Sequence, residues 1–235
     1  METGELSRAM VVAIDGPSGS GKSSVSRGVA SALGLAYLDT GAMYRAATWW
    51  CLHQGVPLTD TAAVAAQVRG LPLVMGTDPA APTVHVGGID VGEAIRETAI
   101  SSAVSAVATN LEVRAELGRL QRVAIDEARE RTGIVAEGRD ITTVVAPDAD
   151  VRVLLTATED ARLARRARDV HGSDDAAAVE ATRDQVLRRD ADDSTVVQFH
   201  VAADGVVTVD SSHLDFDQTV QAVLDVVESV VGPRS

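Results

Sequence analysis

A glycine-rich loop that contains a lysine is the part of this sequence best suited to chemistry. Residues 16–23 read GPSGSGKS and fit the pattern G-x-x-x-x-G-K-[ST] of a phosphate-binding loop. Glycine lets backbone N–H groups turn inwards around phosphate oxygens, and a helix that starts near Lys22 adds the positive end of its dipole. Lys22 can reach the β- and γ-phosphates, and the Ser23 hydroxyl can bind Mg²⁺. The loop predicts a nucleotide-phosphate site formed by Gly16, Pro17, Ser18, Gly19, Ser20, Gly21, Lys22, Ser23 and Ser24.

Lys22 is the only lysine in a chain that has twenty arginines. A compact ammonium on a flexible stem acts as a point charge inside a ring of amides, whereas a planar guanidinium is too wide to replace it. We therefore expect lysine to be required at this position.

A phosphate-binding loop alone permits a GTPase, an ATPase motor, a small-molecule kinase or a nucleotide sensor. A GTPase usually reads guanine with N-K-x-D, which a chain without a second lysine cannot contain. Motor ATPases usually end an apolar strand with paired acids that activate water. The candidate segment here, IVAEGRD, places Arg139 and Asp140 after Glu137. An arginine at this point suits the binding of a second anion better than the activation of water.

Composition limits the partners and the location. The chain has 235 residues, enough for the core of one domain, and a formal net charge of −13. This charge argues against nucleic-acid binding, which needs a surplus of Lys and Arg. Cys51 is the only cysteine, and there is no signal-peptide core, no membrane-length apolar run and no metal-ligand spacing among the histidines. We expect a monomeric cytosolic protein without membrane contact, structural metal or obligate protein partner.

Five short apolar segments predict the strands that position these residues. The β-branched run VVAID (11–15) ends at the glycine loop, as a buried strand before a helix does. Similar segments are AYLD (36–39), IVAEG (134–138), VRVLLT (151–156) and VVTVD (206–210). Apolar strands separated by helical segments indicate a parallel sheet covered on both faces, and hence an α/β fold.

Two regions interrupt this alternation. Residues 71–91 contain Pro, Gly and short alternating segments, which predict a small antiparallel insert. Residues 158–193 have a helical pattern that is rich in arginine, for which a solvated helix face is the simplest interpretation. Between these regions, residues 111–131 predict an amphipathic helix.

Several longer segments resemble the bacterial cytidylate kinases in order and spacing. They are VVAIDGPSGSGKSSVSRGVASALGLAYLDTGAMYR, GGIDVGEAIR, SAVSAVATNLEVR, AEGRDITTVVAPDAD and RRDADDS, and the similarity covers about residues 11–210. The resemblance implies a three-layer P-loop fold with a five-stranded parallel sheet. It also implies an enzyme that transfers the γ-phosphoryl group of ATP, with Mg²⁺, to CMP or dCMP. It also implies one kinase domain over residues 1–235, with three parts: a core (about 9–40, 111–157 and 194–232), an insert that binds the nucleoside monophosphate (about 41–110) and a helical lid (about 158–193).

The same resemblance assigns roles to individual residues, beginning with the ATP phosphates at the glycine loop. Residues matched to the acceptor nucleotide are Thr40 and Arg45, Ser105, Arg114 and Asp140 at cytosine, and Arg189 and Asp193 near the ribose. Residues matched to phosphoryl transfer are Lys22, Arg139 and the lid arginines Arg162, Arg165 and Arg166.

The chemistry of cytosine agrees with these roles. Asp140 can accept from the exocyclic amino group, and Arg114 can donate to the ring nitrogen and carbonyl. Uracil carries an oxygen in place of the amino group, and an unpaired buried carboxylate costs about 1–3 kcal/mol, or roughly 10- to 100-fold in discrimination. The second pKa of a phosphate monoester is about 6, so the acceptor is already anionic and no general base is needed.

Simpler interpretations and alternative functions remain open. Ser105 alone reads as a helix-surface serine, Thr40 as a helix N-cap and Asp140 as a helix or turn cap. The alternative functions are a kinase that prefers UMP or another small acceptor, and a sensor that binds nucleotides without turnover.

The sequence departs from the family pattern at three positions. Val196 stands where we expect an arginine that touches the acceptor phosphate, so a contact is lost or Arg188 replaces it. Thr142 stands where glycine is common, and Ala146 replaces a bulky residue before a proline.

Overall fold

The structure, a computed structural model, describes residues 9–232. Residues 1–8, where the sequence shows no signal-peptide core, lie outside the described residues. The described chain forms eight strands and eight α-helices. In chain order they are β1 (Val11–Asp15), α1 (Lys22–Leu33), β2 (Ala36–Asp39), α2 (Thr40–His53), α3 (Thr61–Arg69), β3 (Leu73–Met75), β4 (Val84–Val86), β5 (Ile89–Asp90), α4 (Thr98–Ala108), α5 (Leu111–Arg129), β6 (Ile134–Gly138), β7 (Val151–Thr156), α6 (Glu159–His171), α7 (Ala176–Ser194), β8 (Val207–Asp210) and α8 (Phe216–Val231).

Five parallel strands form the central sheet in the order β2-β6-β1-β7-β8. The middle strand β1 is buried on both faces: Val12 and Ile14 pack with α1 and α8, whereas Val11 and Ala13 pack with Ile125 of α5. Parallel strands need crossover connections, and helices cover both faces of the sheet here. The predicted three-layer α/β fold and all five predicted strands are confirmed.

The carboxyl ends of β1 and β6 lie side by side at the centre of the sheet, where Asp15 pairs with Gly138. From β1 the chain passes to β2, which lies on one side of β1 beyond β6. Strand β7 lies on the other side of β1, so the strand order reverses at β1. Such a switch point opens a crevice at the carboxyl edge of the sheet. The glycine loop follows β1 and Arg139 follows β6, so both enter this crevice.

Two further groups of elements flank the crevice. The strands β3, β4 and β5 form an antiparallel sheet, which confirms the small insert predicted over residues 71–91. The pair α6 and α7 confirms the helical character of residues 158–193, and α5 confirms the amphipathic helix, with Val113 and Leu117 buried. Within residues 9–232, no helix combines the length and the apolar character that a membrane crossing requires.

Candidate active site

A cavity of about 950 Å³ opens at the switch point of the sheet. The glycine loop, the insert, the end of β6 and the helices α5, α6 and α7 all contribute to its wall. Small-molecule sites usually measure roughly 300–1,000 Å³, so this cleft leaves room for more than one small ligand.

The glycine loop has a backbone shape that side chains would obstruct. Gly19 and Gly21 have φ of +77° and +86°, and a Cβ on Gly19 would lie 2.5 Å from the Arg162 carbonyl oxygen. Helix α1 begins at Lys22 without a side-chain cap, so its first N–H groups remain available to a ligand. The Lys22 ammonium donates to the Pro17 carbonyl at 2.8 Å and thereby spans the loop. This arrangement suits a chain of phosphate groups.

Glu137, at the end of β6, lies beside the glycine loop and lines the cleft. Its Oε1 accepts from the Ser23 hydroxyl at 2.5 Å and from the Tyr37 hydroxyl at 3.1 Å. Burial raises the pKa of Glu137, and the carboxylate of Asp39 raises it further. Sequence reasoning gave Glu137 no place in the site, although its position at a strand end beside the loop was an available signal. Hydroxyl and carboxylate oxygens are ligands that Mg²⁺ prefers, so Ser23 and Glu137 fit that ion.

Seven arginines line the cleft together with Lys22, namely Arg27, Arg45, Arg96, Arg114, Arg139, Arg166 and Arg189. Four of them come from separate elements and lie close enough for their charges to interact: Arg45, Arg139, Arg166 and Arg189. Burial and the charges of Arg139 and Arg45 lower the pKa of Arg189 to about 9. Burial and the charge of Arg45 also lower the pKa of Arg166. Cations that destabilise one another in this way are stabilised by an anion between them. The charges of the cleft therefore favour an anionic ligand between these arginines.

Arg139 connects the glycine loop to α7. It donates to the Gly16 carbonyl at 3.3 Å and pairs with Asp190 at 3.2 Å and with Asp193 at 2.5 Å. The Phe199 ring stacks on the guanidinium, with 4.5 Å between the Arg139 Cζ atom and the ring centre. These contacts hold the arginine in one orientation before any ligand binds.

Arg45 and Arg189 keep donors free for a ligand. Arg45 pairs with Asp39 at 3.0 Å, and Arg189 lies 3.9 Å from Asp193. The Nε atoms of both arginines are buried without a hydrogen-bond partner. Because buried donors are normally satisfied, these two atoms indicate where an acceptor belongs.

Arg114 and Asp140 form an ion pair on the insert side of the cleft. Arg114 also donates to the Ala108 carbonyl at 3.1 Å and lies 5.7 Å from the centre of the Tyr44 ring. Burial raises the pKa of Asp140, although the charge of Arg114 opposes this rise. Asp140 makes no capping hydrogen bond in the turn that follows it, so its interpretation as a simple turn cap is wrong. A donor fork beside an acceptor can recognise a ring that offers the complementary groups.

Comparison with known proteins decides the family. Residues 12–229 match the family model described as cytidylate kinase. The chain belongs to the cytidylate kinase family. It is 50% identical to the cytidylate kinase of Streptomyces avermitilis over 94% of this chain and 93% of that protein. It is 51% identical to the cytidylate kinase of Rhodococcus jostii over 95% of this chain and 96% of that protein.

The likeness to solved structures is lower. The shikimate kinase of Acinetobacter baumannii in complex with shikimate is 16% identical, with a TM-score of 0.41 over 94% of each chain.

Thr40 lies in the cleft of this cytidylate kinase family member but does not cap a helix. The N-cap of α2 is Asp39, whose carboxylate accepts from the Ala42 N–H at 2.7 Å. Thr40 donates instead to the Glu137 carbonyl at 2.7 Å. The interpretation of Thr40 as only an N-cap is therefore wrong.

Ser105 does not reach the cleft. It lies with Asp192 and Thr195 in a separate groove of about 340 Å³, whereas Ser101, one turn earlier in α4, lines the cleft. The structure thus does not bring Ser105 to the ion pair on the insert side.

Two of the three arginines that the resemblance assigns to a lid contact the outside of the glycine loop. Arg162 donates to the Ser18 carbonyl at 2.8 Å, and Arg165 donates to the Ser20 carbonyl at 3.3 Å. Because the N–H groups of such a loop turn inwards, carbonyls remain on its outer side and attract these guanidinium donors. Only Arg166 lines the cleft, contrary to the expected placement of all three. The loop residues that line the cleft are Ser18, Gly19, Gly21, Lys22, Ser23 and Ser24, while Gly16, Pro17 and Ser20 do not.

The departures from the family pattern have different outcomes. Arg188 is exposed and does not line the cleft, so it does not replace the arginine that is missing at Val196. Ala146 is buried in an apolar cluster, so the smaller side chain leaves the core intact there. The Thr142 hydroxyl donates a hydrogen bond to the Asp15 carboxylate that glycine, without a side chain, cannot make.

Proposed function

We propose that this chain transfers the γ-phosphoryl group of ATP to CMP or dCMP and releases ADP with CDP or dCDP. The observation that carries the proposal is the pairing of two anion sites across one cleft. The glycine loop with Lys22 forms one site, and the cleft arginines form the other, next to the ion pair of Arg114 and Asp140.

The donor side holds the triphosphate. The first N–H groups of α1 and the loop amides surround phosphate oxygens, and Lys22 supplies a positive charge to the β- and γ-phosphates. Ser23 and Glu137 would hold Mg²⁺, which neutralises phosphate charge when it is bound. These groups favour departure of the ADP oxygen when its bond to the γ-phosphorus breaks.

The acceptor side holds the nucleotide that attacks. Arg45, Arg166 and Arg189 would cover its phosphate, whose oxygen forms the new bond to the γ-phosphorus. Arg139 is held between the loop and α7, so it can stabilise the phosphoryl group as this group passes between the two sites. Asp140 would accept from the cytosine amino group, and Arg114 would donate to the ring acceptors.

The three parts of the chain have different functions in this proposal. We infer that residues 41–110 bind the acceptor nucleotide, that residues 158–193 act as a lid and that the remaining parts form the core. We also infer a monomer that works in the cytoplasm, with nucleotides rather than nucleic acid, membranes or a protein as partners. The buried, unpaired Cys51 is compatible with a reducing compartment.

A coupled assay of ADP release tests this proposal with CMP, dCMP, UMP, AMP and GMP as acceptors, with Mg²⁺ and with EDTA. We expect Mg²⁺-dependent turnover that is highest with CMP or dCMP. The variant Asp140→Asn should lose most of the preference for CMP over UMP, whereas Asp184→Asn, at an exposed position on α7, should keep it. A preference for UMP in the parent protein would refute the assignment of cytosine. ATP binding without turnover of any acceptor would favour the nucleotide sensor.

A further inference from the structure

The turn that follows Asp140 is a π-helical turn over Ile141–Val145. Its closing bond runs from the Ala146 N–H to the Ile141 carbonyl at 2.8 Å. The first N–H groups of any helical turn have no acceptor within the turn and must find one elsewhere. In most helices an Asp at the N-cap accepts these bonds itself. Asp140 occupies that position but makes no such bond.

A carboxylate from the central strand takes this role instead. Asp15, the last residue of β1, accepts from the Ile141 N–H at 3.0 Å and from the Thr142 N–H at 2.8 Å. The Thr142 hydroxyl donates a third bond to the same carboxylate at 2.6 Å. All three residues are buried, and Asp15 immediately precedes the glycine loop in sequence.

Because Asp15 accepts the hydrogen bonds of this turn, the Asp140 carboxylate is not needed as its cap. This carboxylate turns to Arg114 and the cleft, because the turn behind it is already capped. We propose that Asp15 and Thr142 form a positioning pair that holds Asp140 ready to read the acceptor base, with the Thr142 hydroxyl as the decisive donor. The inference rests on the proposed function, since it concerns the same base-reading site.

The hydrogen bond from the Thr142 hydroxyl matters because its acceptor is the buried carboxylate of Asp15. A hydroxyl that donates to a buried carboxylate forms a charge-assisted bond, stronger than one between neutral groups. Glycine would leave Asp15 with two backbone donors only. Thr142 also accepts through its carbonyl from Arg152 at 3.2 Å, so both sides of the residue are fixed. The structure thus explains the threonine that departs from the family pattern.

Three single substitutions test the inference. Thr142→Val keeps the shape and removes the hydroxyl, Thr142→Ser keeps the hydroxyl, and Thr143→Val is a matched control at the exposed neighbouring position. For each protein we would measure kcat/KM with CMP and with UMP, KM for ATP, the thermal unfolding midpoint and amide hydrogen exchange of residues 141 and 142.

We expect Thr142→Val to lower the ratio of kcat/KM for CMP over UMP by about 10-fold, with KM for ATP within about twofold and faster exchange at both amides. Thr142→Ser and Thr143→Val should keep the parent ratio. A Thr142→Val protein that keeps the ratio would overturn the inference, even if its unfolding midpoint fell, because the threonine would then serve stability alone. A parent protein without preference for CMP would overturn the proposed function and this inference together.

Discussion

Replacement of Lys22 by arginine is the sharpest test of the phosphate site, because it keeps the charge and changes only its shape. The Lys22 ammonium fits within the loop, 2.8 Å from the Pro17 carbonyl, while Arg139 lies close enough to lower its pKa. A wider guanidinium in this space would meet the loop backbone and a second guanidinium. We expect Lys22→Arg to lower kcat by about 100- to 1,000-fold, as the loss of one preorganised transition-state donor does.

Stability should move in the opposite direction from activity. Burial, and next the charge of Arg139, lower the pKa of Lys22 from 10.5 to about 8. The native state therefore binds fewer protons than the unfolded chain between these pH values, and stability rises with pH across that window. At pH 7 the partly desolvated ammonium costs about 3 kcal/mol. Lys22→Ala should thus unfold no more easily than the parent at pH 7, although its kcat falls at least as far as that of Lys22→Arg.

The assay combines turnover, binding and unfolding. ADP release gives kcat, and urea unfolding at pH 7 gives the free energy of unfolding. The fluorescence of Trp49 and Trp50, which are on the same helix as Arg45, follows CMP binding. We expect CMP affinity within about threefold of the parent in both variants, because the acceptor arginines are unchanged. A Lys22→Arg protein with the parent kcat would refute the argument that a point charge is required. A large loss of stability in Lys22→Ala would refute the assignment of a destabilised ammonium.

The remaining predictions concern other groups around the cleft. Arg189→Ala should lower kcat/KM for CMP by about 100-fold, since a buried donor to the acceptor phosphate is lost, whereas exposed Arg188→Ala should stay within about twofold; steady-state kinetics on this matched pair checks both. Phe199→Leu keeps an apolar side chain but removes the ring over Arg139, so kcat/KM should fall by about 2- to 30-fold; an unchanged value would mean that the stacking does not position the arginine. Burial raises the pKa of Asp15 from 3.8 to about 6, so its contribution to stability is present at low pH and is lost as the pH rises through about 6. Asp15→Asn should remove a decline of about 2 kcal/mol between pH 4 and pH 6.5, measured by urea unfolding, and equal slopes in both proteins would contradict this.

Local sequence patterns were sufficient for the framework of the site. The strand VVAID and the glycine loop are recognisable because apolar runs, glycines and helix starts act over a few residues. The meeting of Arg139 with that loop could also be anticipated, because carboxyl ends of parallel strands share one edge of the sheet. These inferences needed no knowledge of side-chain contacts.

Side-chain direction on the helices could not be anticipated in the same way. Arg162, Arg165 and Arg166 have the spacing of one helix face, yet only Arg166 lines the cleft. What separates them is the position of the loop carbonyls beside α6, which depends on tertiary packing. The prediction that Ser105 lies in the cleft was wrong for a related reason, since a single turn of α4 decides whether a serine reaches the cleft.

The roles of the buried acids could not be predicted from the composition. Asp190 accepts from the Ser18 N–H at 3.0 Å and pairs with Arg139 at 3.2 Å and with Arg162 at 2.5 Å. One carboxylate thus holds the glycine loop and two arginines, and its neighbour Arg189 lines the cleft. Because these adjacent residues belong to α7, a displacement of that helix would change both the contact to the glycine loop and the position of the Arg189 charge in the cleft. Helix α7 is therefore linked to the glycine loop through Asp190. A net charge of −13 is compatible with a cationic cleft because buried acids such as Asp190 orient its arginines.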